Sequence, residues 1–99
     1  MPIKLSLIIP CKDKNDPKLQ ELLASIEAQD FPKDEMETLV ITDGTSESAK
    51  AIGIRRAKGE IIGILASDNV LVYKTTLKNF WWQASIDGAA YPVFYHYHN

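Results

Sequence analysis

Hydrophobic and polar positions along this chain follow two periods in turn. "IKLSLIIP" (Ile3–Pro10) is a short, β-branched apolar run closed by proline, as a buried strand should be. After the polar loop "CKDKND", Asp16 is placed to cap a helix with Pro17 at its first position. Leu19, Leu22, Leu23 and Ile26 then recur at the i, i+3, i+4, i+7 spacing of one buried helical face. Pro32 ends that pattern. "METLVITD" predicts a second strand ending at Asp43, and "GTSES" a turn with Thr45 or Ser46 as the next cap. "AKAIGIRRAK" predicts a second helix, stopped by Gly59 just past its end. Gly53 inside it costs about 1 kcal/mol relative to alanine, so close backbone packing is expected there. "EIIGILA" predicts a third strand, apolar throughout, as when both faces of a parallel sheet are covered.

Beyond Asp68, "VLVY" is short and carries no clear period. "TTLKNFWWQAS" returns to the helical template with Leu77, Phe80, Trp81 and Ala84 on one face. Asp87-Gly88 is a turn signal, and "AAYPVFYHYHN" predicts a terminal strand in which Pro92 favours an edge or a bulge. The order strand, helix, strand, helix, strand describes two βαβ units with parallel strands and right-handed crossovers. The expected class is α/β, a three-layer α/β/α arrangement around a mainly parallel sheet. No linker or second domain is visible, so residues 1–99 read as a single domain.

Composition narrows the function classes. A hydrophobic fraction of 45% beside 24% charged residues argues for a folded globular chain and against disorder. A net charge of −2 gives no reason to expect nucleic acid or a polybasic membrane contact. Cys11 is the only cysteine, which excludes an internal disulfide and a cysteine zinc site and makes a reducing, cytoplasmic compartment the simplest expectation. "LSLIIP" is too short for a signal peptide, and no segment approaches the ~20 apolar residues that span a bilayer. Membrane association would have to come through regions outside this chain.

The strand ends carry the candidate chemistry. In an open parallel sheet, ligands bind outside the carboxyl ends of the strands. Each of the three strands runs into a polar cluster there: Cys11-Lys12-Asp13, then Asp43-Gly44-Thr45, then Ser67-Asp68-Asn69. Acids converging on one edge repel one another unless a cation sits among them, and oxygen-only ligands favour Mg2+ or Mn2+. The plainer reading is that Asp and Asn are common wherever strands end, and the residue pattern alone leaves both open.

In order and spacing, "LSLIIPCKDK", "LVITDGTSES" and "AKAIGIRRAKGEIIGILASDN" resemble the successive motifs of the family 2 glycosyltransferases, inverting enzymes with the Rossmann-like nucleotide-diphosphosugar transferase (GT-A) fold. The resemblance covers roughly residues 4 to 70. It implies a donor-binding half that takes a nucleotide diphosphosugar, with a UDP-sugar expected, for transfer to an unknown sugar, lipid or protein acceptor. Pro10, Cys11 and Lys12 would lie against the base, with Lys12 where the family often has an aromatic residue; Asp13 and Ser67 belong to the same nucleotide-binding set. Asp43 would accept the ring N–H of the base, and Lys50 would lie near the nucleotide and diphosphate. Asp68 matches the second acid of the family's Asp-x-Asp motif, the one that reaches the metal; a rigid strand would hold it in place.

Two positions depart from that pattern. Ala66 stands where the motif has its first acid, and Ala51 where asparagine is common. The general base of the family lies in an acceptor-binding half well beyond the Asp-x-Asp motif, and neither Asp87 nor Glu60 is in its place, so no catalytic residue is assigned and the chain is expected to be truncated relative to a whole transferase. A non-catalytic nucleotide-binding or interaction module of the same fold is the alternative. A receiver-type regulatory domain would need an acidic pair after its first strand and a lysine after its last, and neither is present.

Other residues weigh toward structural roles. His96 and His98 would share one face of a strand, but no third metal ligand is identifiable. Trp81 lies on the helical face of Leu77 and Phe80, which favours core packing over sugar stacking for it. Arg55 and Arg56 suit a helix C-terminus. Cys11 reads as a small buried residue rather than a nucleophile. Tyr91, Tyr95 and Tyr97 alternate, and that strand face, left uncovered, would be a surface for homo-oligomer formation.

Overall fold

The structure is a computed structural model that describes residues 3–67 and 69–87. Its elements are β1 (Leu5–Pro10), α1 (Pro17–Glu27), a 3-10 turn (Lys33–Glu35), β2 (Met36–Ile41), α2 (Ser46–Arg56), β3 (Ile61–Ile64) and α3 (Thr76–Asp87). The three strands form one parallel sheet in the order β2-β1-β3. Leu5 is level with Met36 and Ile61, and Pro10 with Ile41.

Strand parity explains the layers. The odd residues of β1, Leu5, Leu7 and Ile9, join Leu19, Leu22 and Ile26 of α1 and Leu77 and Ala84 of α3 in one cluster. The even residue Ile8 faces the other way, onto Ile41, Ala49 and the half-buried Leu39, Ile52, Ile62 and Ile64. Side chains alternate across a strand, so α1 and α3 cover one face and α2 the other. This is the expected three-layer α/β/α arrangement, with β1 at its centre: Leu5, Leu7, Ile8 and Ile9 are fully buried, each contributing about 1.5–3 kcal/mol of apolar burial.

Local chemistry sets the element ends. Asp16 Oδ1 accepts the Lys18 N–H at 2.9 Å, with Pro17 opening α1 as its spacing indicated. Thr45 caps α2 in a reciprocal box: its Oγ1 accepts the Ser48 N–H at 3.2 Å, and Ser48 Oγ accepts the Thr45 N–H at 2.8 Å. Gly53 is needed for contact, as expected, since a Cβ there would come within 2.5 Å of Ile8 Cγ2.

Gly59 departs from its expected role. The cap of α2 is Ala57, in extended backbone, and Gly59 does not adopt the left-handed conformation of a helix stop. It is required instead where the chain passes β1, because a Cβ would lie 2.6 Å from the Ser6 backbone nitrogen. Buried Ser6 explains that closeness. Its hydroxyl accepts the Gly59 N–H at 2.8 Å and donates to Glu37 Oε2 at 2.6 Å, and the same carboxylate oxygen accepts the Lys58 N–H.

Two strands also stop earlier than expected. β2 ends at Ile41 rather than Asp43, because the Cys11 N–H to Ile41 carbonyl bond is the last rung before β1 turns away. β3 ends at Ile64, with one further bond from the Leu65 N–H to the Ile8 carbonyl. The chain then descends along α1: Ser25 Oγ accepts the Leu71 N–H, and the buried side chain of Gln29 donates to the Tyr73 carbonyl at 2.7 Å while accepting the Leu77 N–H at 3.0 Å. That docks the first turn of α3. The Asp87-Gly88 turn, the terminal strand with Pro92, its tyrosines, and His96 and His98 lie outside the described residues, as does the expected oligomer surface.

Candidate functional site

The topology opens a crevice at one place. β1 leads into α1 on one face of the sheet, and its neighbour β2 leads into α2 on the other. Adjacent loops that leave in opposite directions part at the carboxyl end, which is where open α/β sheets bind ligands. A cleft of about 360 Å³ lies there. Pro10, Cys11, Lys12, Asp13 and Asp16 line it from the β1 side, and Ile41, Thr42, Asp43, Gly44, Thr45 and Ala49 from the β2 side, with Ser67 reaching in from beyond β3.

Each wall is held locally. Cys11 is buried and its Sγ donates to the Asp13 carbonyl at 3.1 Å, an orientation that serves the loop rather than a reaction. Asp13 Oδ1 accepts the Asn15 N–H at 2.9 Å, which tightens the turn into α1. On the opposite wall Gly44 has φ +70°, a left-handed value glycine adopts without strain. It turns the chain from the end of β2 into the Thr45 cap. Asp43, just before it, is exposed, and its carboxylate has no hydrogen-bond partner among the described residues.

Of the residues expected to bind a nucleotide, Pro10, Cys11, Lys12, Asp13, Asp43 and Ser67 meet around this cleft. Lys50 does not line it; one turn into α2, it pairs with Glu47 at 3.4 Å. Asp68 lies outside the described residues. The strand expected to hold it ends at Ile64, and beyond it Ala66 and Asn69 are tied together, the Ala66 N–H to Asn69 Oδ1 at 3.2 Å and the Asn69 N–H to the Ala66 carbonyl at 3.1 Å. Among the described residues no group of three or more His, Cys, Asp or Glu is placed to hold a metal ion.

The sequence motifs did not single out Asp16, Ile41, Thr42 or Ala49 as cleft residues, whereas Gly44 and Thr45 belong to the polar cluster expected after β2. Asp16 was legible as a helix cap, and a cap by itself does not say that the helix start opens on a ligand site. Both Asp16 and Thr45 are N-caps, so α1 and α2 each bring the positive end of a helix dipole to the cleft. The side chains weigh the other way, with three carboxylates, Asp13, Asp16 and Asp43, against the ammonium of Lys12.

A second cavity of about 360 Å³ lies at the amino end of the strands, lined by Lys4, Phe31, Glu35 and Trp81 among others. Its charges are matched internally: Lys4 pairs with Glu35 at 3.2 Å and lies 5.3 Å from the Trp81 ring centroid, while Phe31 meets Trp81 edge-on at 6.4 Å. Trp81 is therefore a packing residue, and the chemistry concentrates at the carboxyl end. No helix among the described residues is long and apolar enough to cross a membrane.

Comparison with known proteins bears on this cleft. No family model and no curated protein matches the chain. Solved structures do. A crystal structure of TarS from S. aureus superposes with a TM-score of 0.68 at 27% identity, over 87% of this chain and 20% of that one. A structure of TarS residues 1–349 gives 0.64 at 27% identity, over 87% of this chain and 33% of that one. TarS is a glycosyltransferase. The fold here is glycosyltransferase-like. This chain spans between a fifth and a third of the length of the TarS chains it matches.

Proposed function

We propose that this chain is the donor-binding half of an inverting family 2 glycosyltransferase, taking a UDP-sugar in the cleft between β1 and β2. The observation that carries the reading is the convergence of Lys12, Asp43 and Ser67, from the loops after three different strands, on one cleft in a fold similar to that of TarS. Asp43 is suited to the base. An ionised carboxylate only accepts hydrogen bonds, so it selects a ring N–H, as uracil presents, and rejects the ring lone pair of cytosine or adenine. The Pro10–Lys12 loop forms the facing wall.

The net acidity of the walls is the argument for a divalent cation, since a diphosphate would otherwise meet three carboxylates. Mg2+ commonly takes one or two protein carboxylates and completes its shell with phosphate oxygens and water, so Asp68 with Ser67 beside it would be enough to hold Mg2+ or Mn2+. Such an ion would stabilise the charge that builds on the leaving diphosphate as the sugar C1–O bond breaks. The acceptor, a sugar, lipid or protein hydroxyl, would come from outside these residues, as would the base that deprotonates it. A cytoplasmic setting fits a nucleotide-sugar donor and the lone thiol.

Titration calorimetry with UDP and Mn2+ tests this. Binding that depends on the metal is expected, with Asp68→Ala abolishing the metal-dependent part and Asp43→Ala weakening affinity roughly ten-fold. Absence of heat at millimolar nucleotide, with circular dichroism showing folded protein, would leave the second reading, a non-catalytic module of the same fold. Ala66, exposed where the motif carries an acid, is the observation that favours that alternative.

A further inference from the structure

We propose that Lys12 anchors a phosphate of the bound nucleotide, so that the base lies over the β2 loop and the phosphates run past the β1 loop toward β3. The assignment rests on the nucleotide reading of the cleft and gives it a direction. Among the described residues that line the cleft, Lys12 is the sole cation, and it stands among Asp13, Asp16 and Asp43. Its ammonium makes no hydrogen bond or ion pair with any described residue, whereas Lys50 is engaged with Glu47 away from the cleft. An unpaired cation in an acidic crevice is the group a polyanion would seek first.

Strand order supplies the direction. Asp43 follows the edge strand β2, Lys12 the central strand β1, and Ser67 the strand β3 on the far side. A ligand with its base at Asp43 therefore passes Lys12 before it reaches Ser67. The two strand spacings crossed amount to about 10 Å, comparable with the distance from a pyrimidine ring to a diphosphate. No aromatic side chain lines the cleft among the described residues, so the loop offers the base an edge and a floor but no stacking face. A lysine there is a compact point charge on a flexible stem, suited to phosphate rather than to a ring.

Uridine, UMP and UDP titrated without metal, in EDTA, separate the possibilities. Binding is read by calorimetry and, for weak ligands, by amide chemical shifts. Lys12→Met should weaken UMP and UDP by roughly three- to thirty-fold, leave uridine within about two-fold, and flatten the salt dependence of UDP binding. Lys12→Arg should retain most of the affinity, and Lys14→Met, on the same loop but outside the cleft lining, should change nothing. Equal loss for uridine and UDP, or no loss for UDP, overturns the assignment while leaving the nucleotide site standing. The same series is repeated with Mn2+ present, and if the folded wild-type protein binds none of the three under either condition, the nucleotide reading itself is wrong, and the assignment goes with it.

Discussion

Gly44 and Ser6 show how much of the cleft depends on single atoms. At φ +70°, a side chain on Gly44 would be strained, and its Cβ would collide with the Ser48 hydroxyl that completes the α2 capping box. Gly44→Ala should therefore cost about 1–3 kcal/mol of stability and also weaken nucleotide binding, measured by urea unfolding and by titration of the same sample. Loss of stability with unchanged binding would mean that the turn is not part of the site. Ser6 lies at the opposite end of β1, remote from ligand, yet its hydroxyl serves Gly59 and Glu37 at once. Ser6→Ala should cost roughly 1–3 kcal/mol, because it leaves a part-buried N–H without its partner. Nucleotide affinity of the folded fraction should stay unchanged. An apolar strand pattern foretold neither role; what singles out Ser6 is only that it is polar where its neighbours are not.

At the level of elements, the layers are held by close approach in one case and by a polar clasp in the other. α2 lies on β1 through Gly53 against Ile8. Gly53→Ala should destabilise, and combined with Ile8→Ala the penalty should be clearly smaller than the sum of the two single variants, since the removed side chain is the one the new methyl would strike. Simple additivity in the double-mutant cycle would show that the contact is not the cause. α3 is joined to α1 by Gln29, whose amide both donates and accepts. Gln29→Leu keeps the bulk and removes the clasp, so amide exchange in the first turn of α3 should accelerate more than in α1 or the sheet. Uniform acceleration would instead mark Gln29 as a contributor to global stability alone. The helix was legible from Leu77, Phe80, Trp81 and Ala84; its attachment was not, because glutamine at the end of a helix reads as an ordinary exposed residue until the fold buries it.

For the whole molecule, β1 is the element on which both layers depend. Leu7 faces α1 and α3, and Ile8 faces α2. Leu7→Ala and Ile8→Ala should each cost about 2–5 kcal/mol and shift one common unfolding transition seen by near- and far-ultraviolet circular dichroism alike; two separate transitions would mean that the layers fold independently. A chain of 99 residues has little stability in reserve, so either variant should be close to the limit of folding.

Periodicity alone determined the number and kind of the early elements, their parallel relation and the faces of α1 and α3, because burial imposes a period that local sequence must obey. It also marked Asp16, and either Thr45 or Ser46, as caps and Gly53 as a close contact, since those rules act within a few residues. The shape of the site was decided by the tertiary structure. Only the order β2-β1-β3 parts the loops after β1 and β2 and gathers Lys12, Asp43 and Ser67 around one cleft. It likewise ended β3 at Ile64 and turned Gly59 from a helix stop into a point of contact with Ser6. Strand length and side-chain partners depend on neighbours distant in sequence, and that dependence is what a chain read in one dimension lacks.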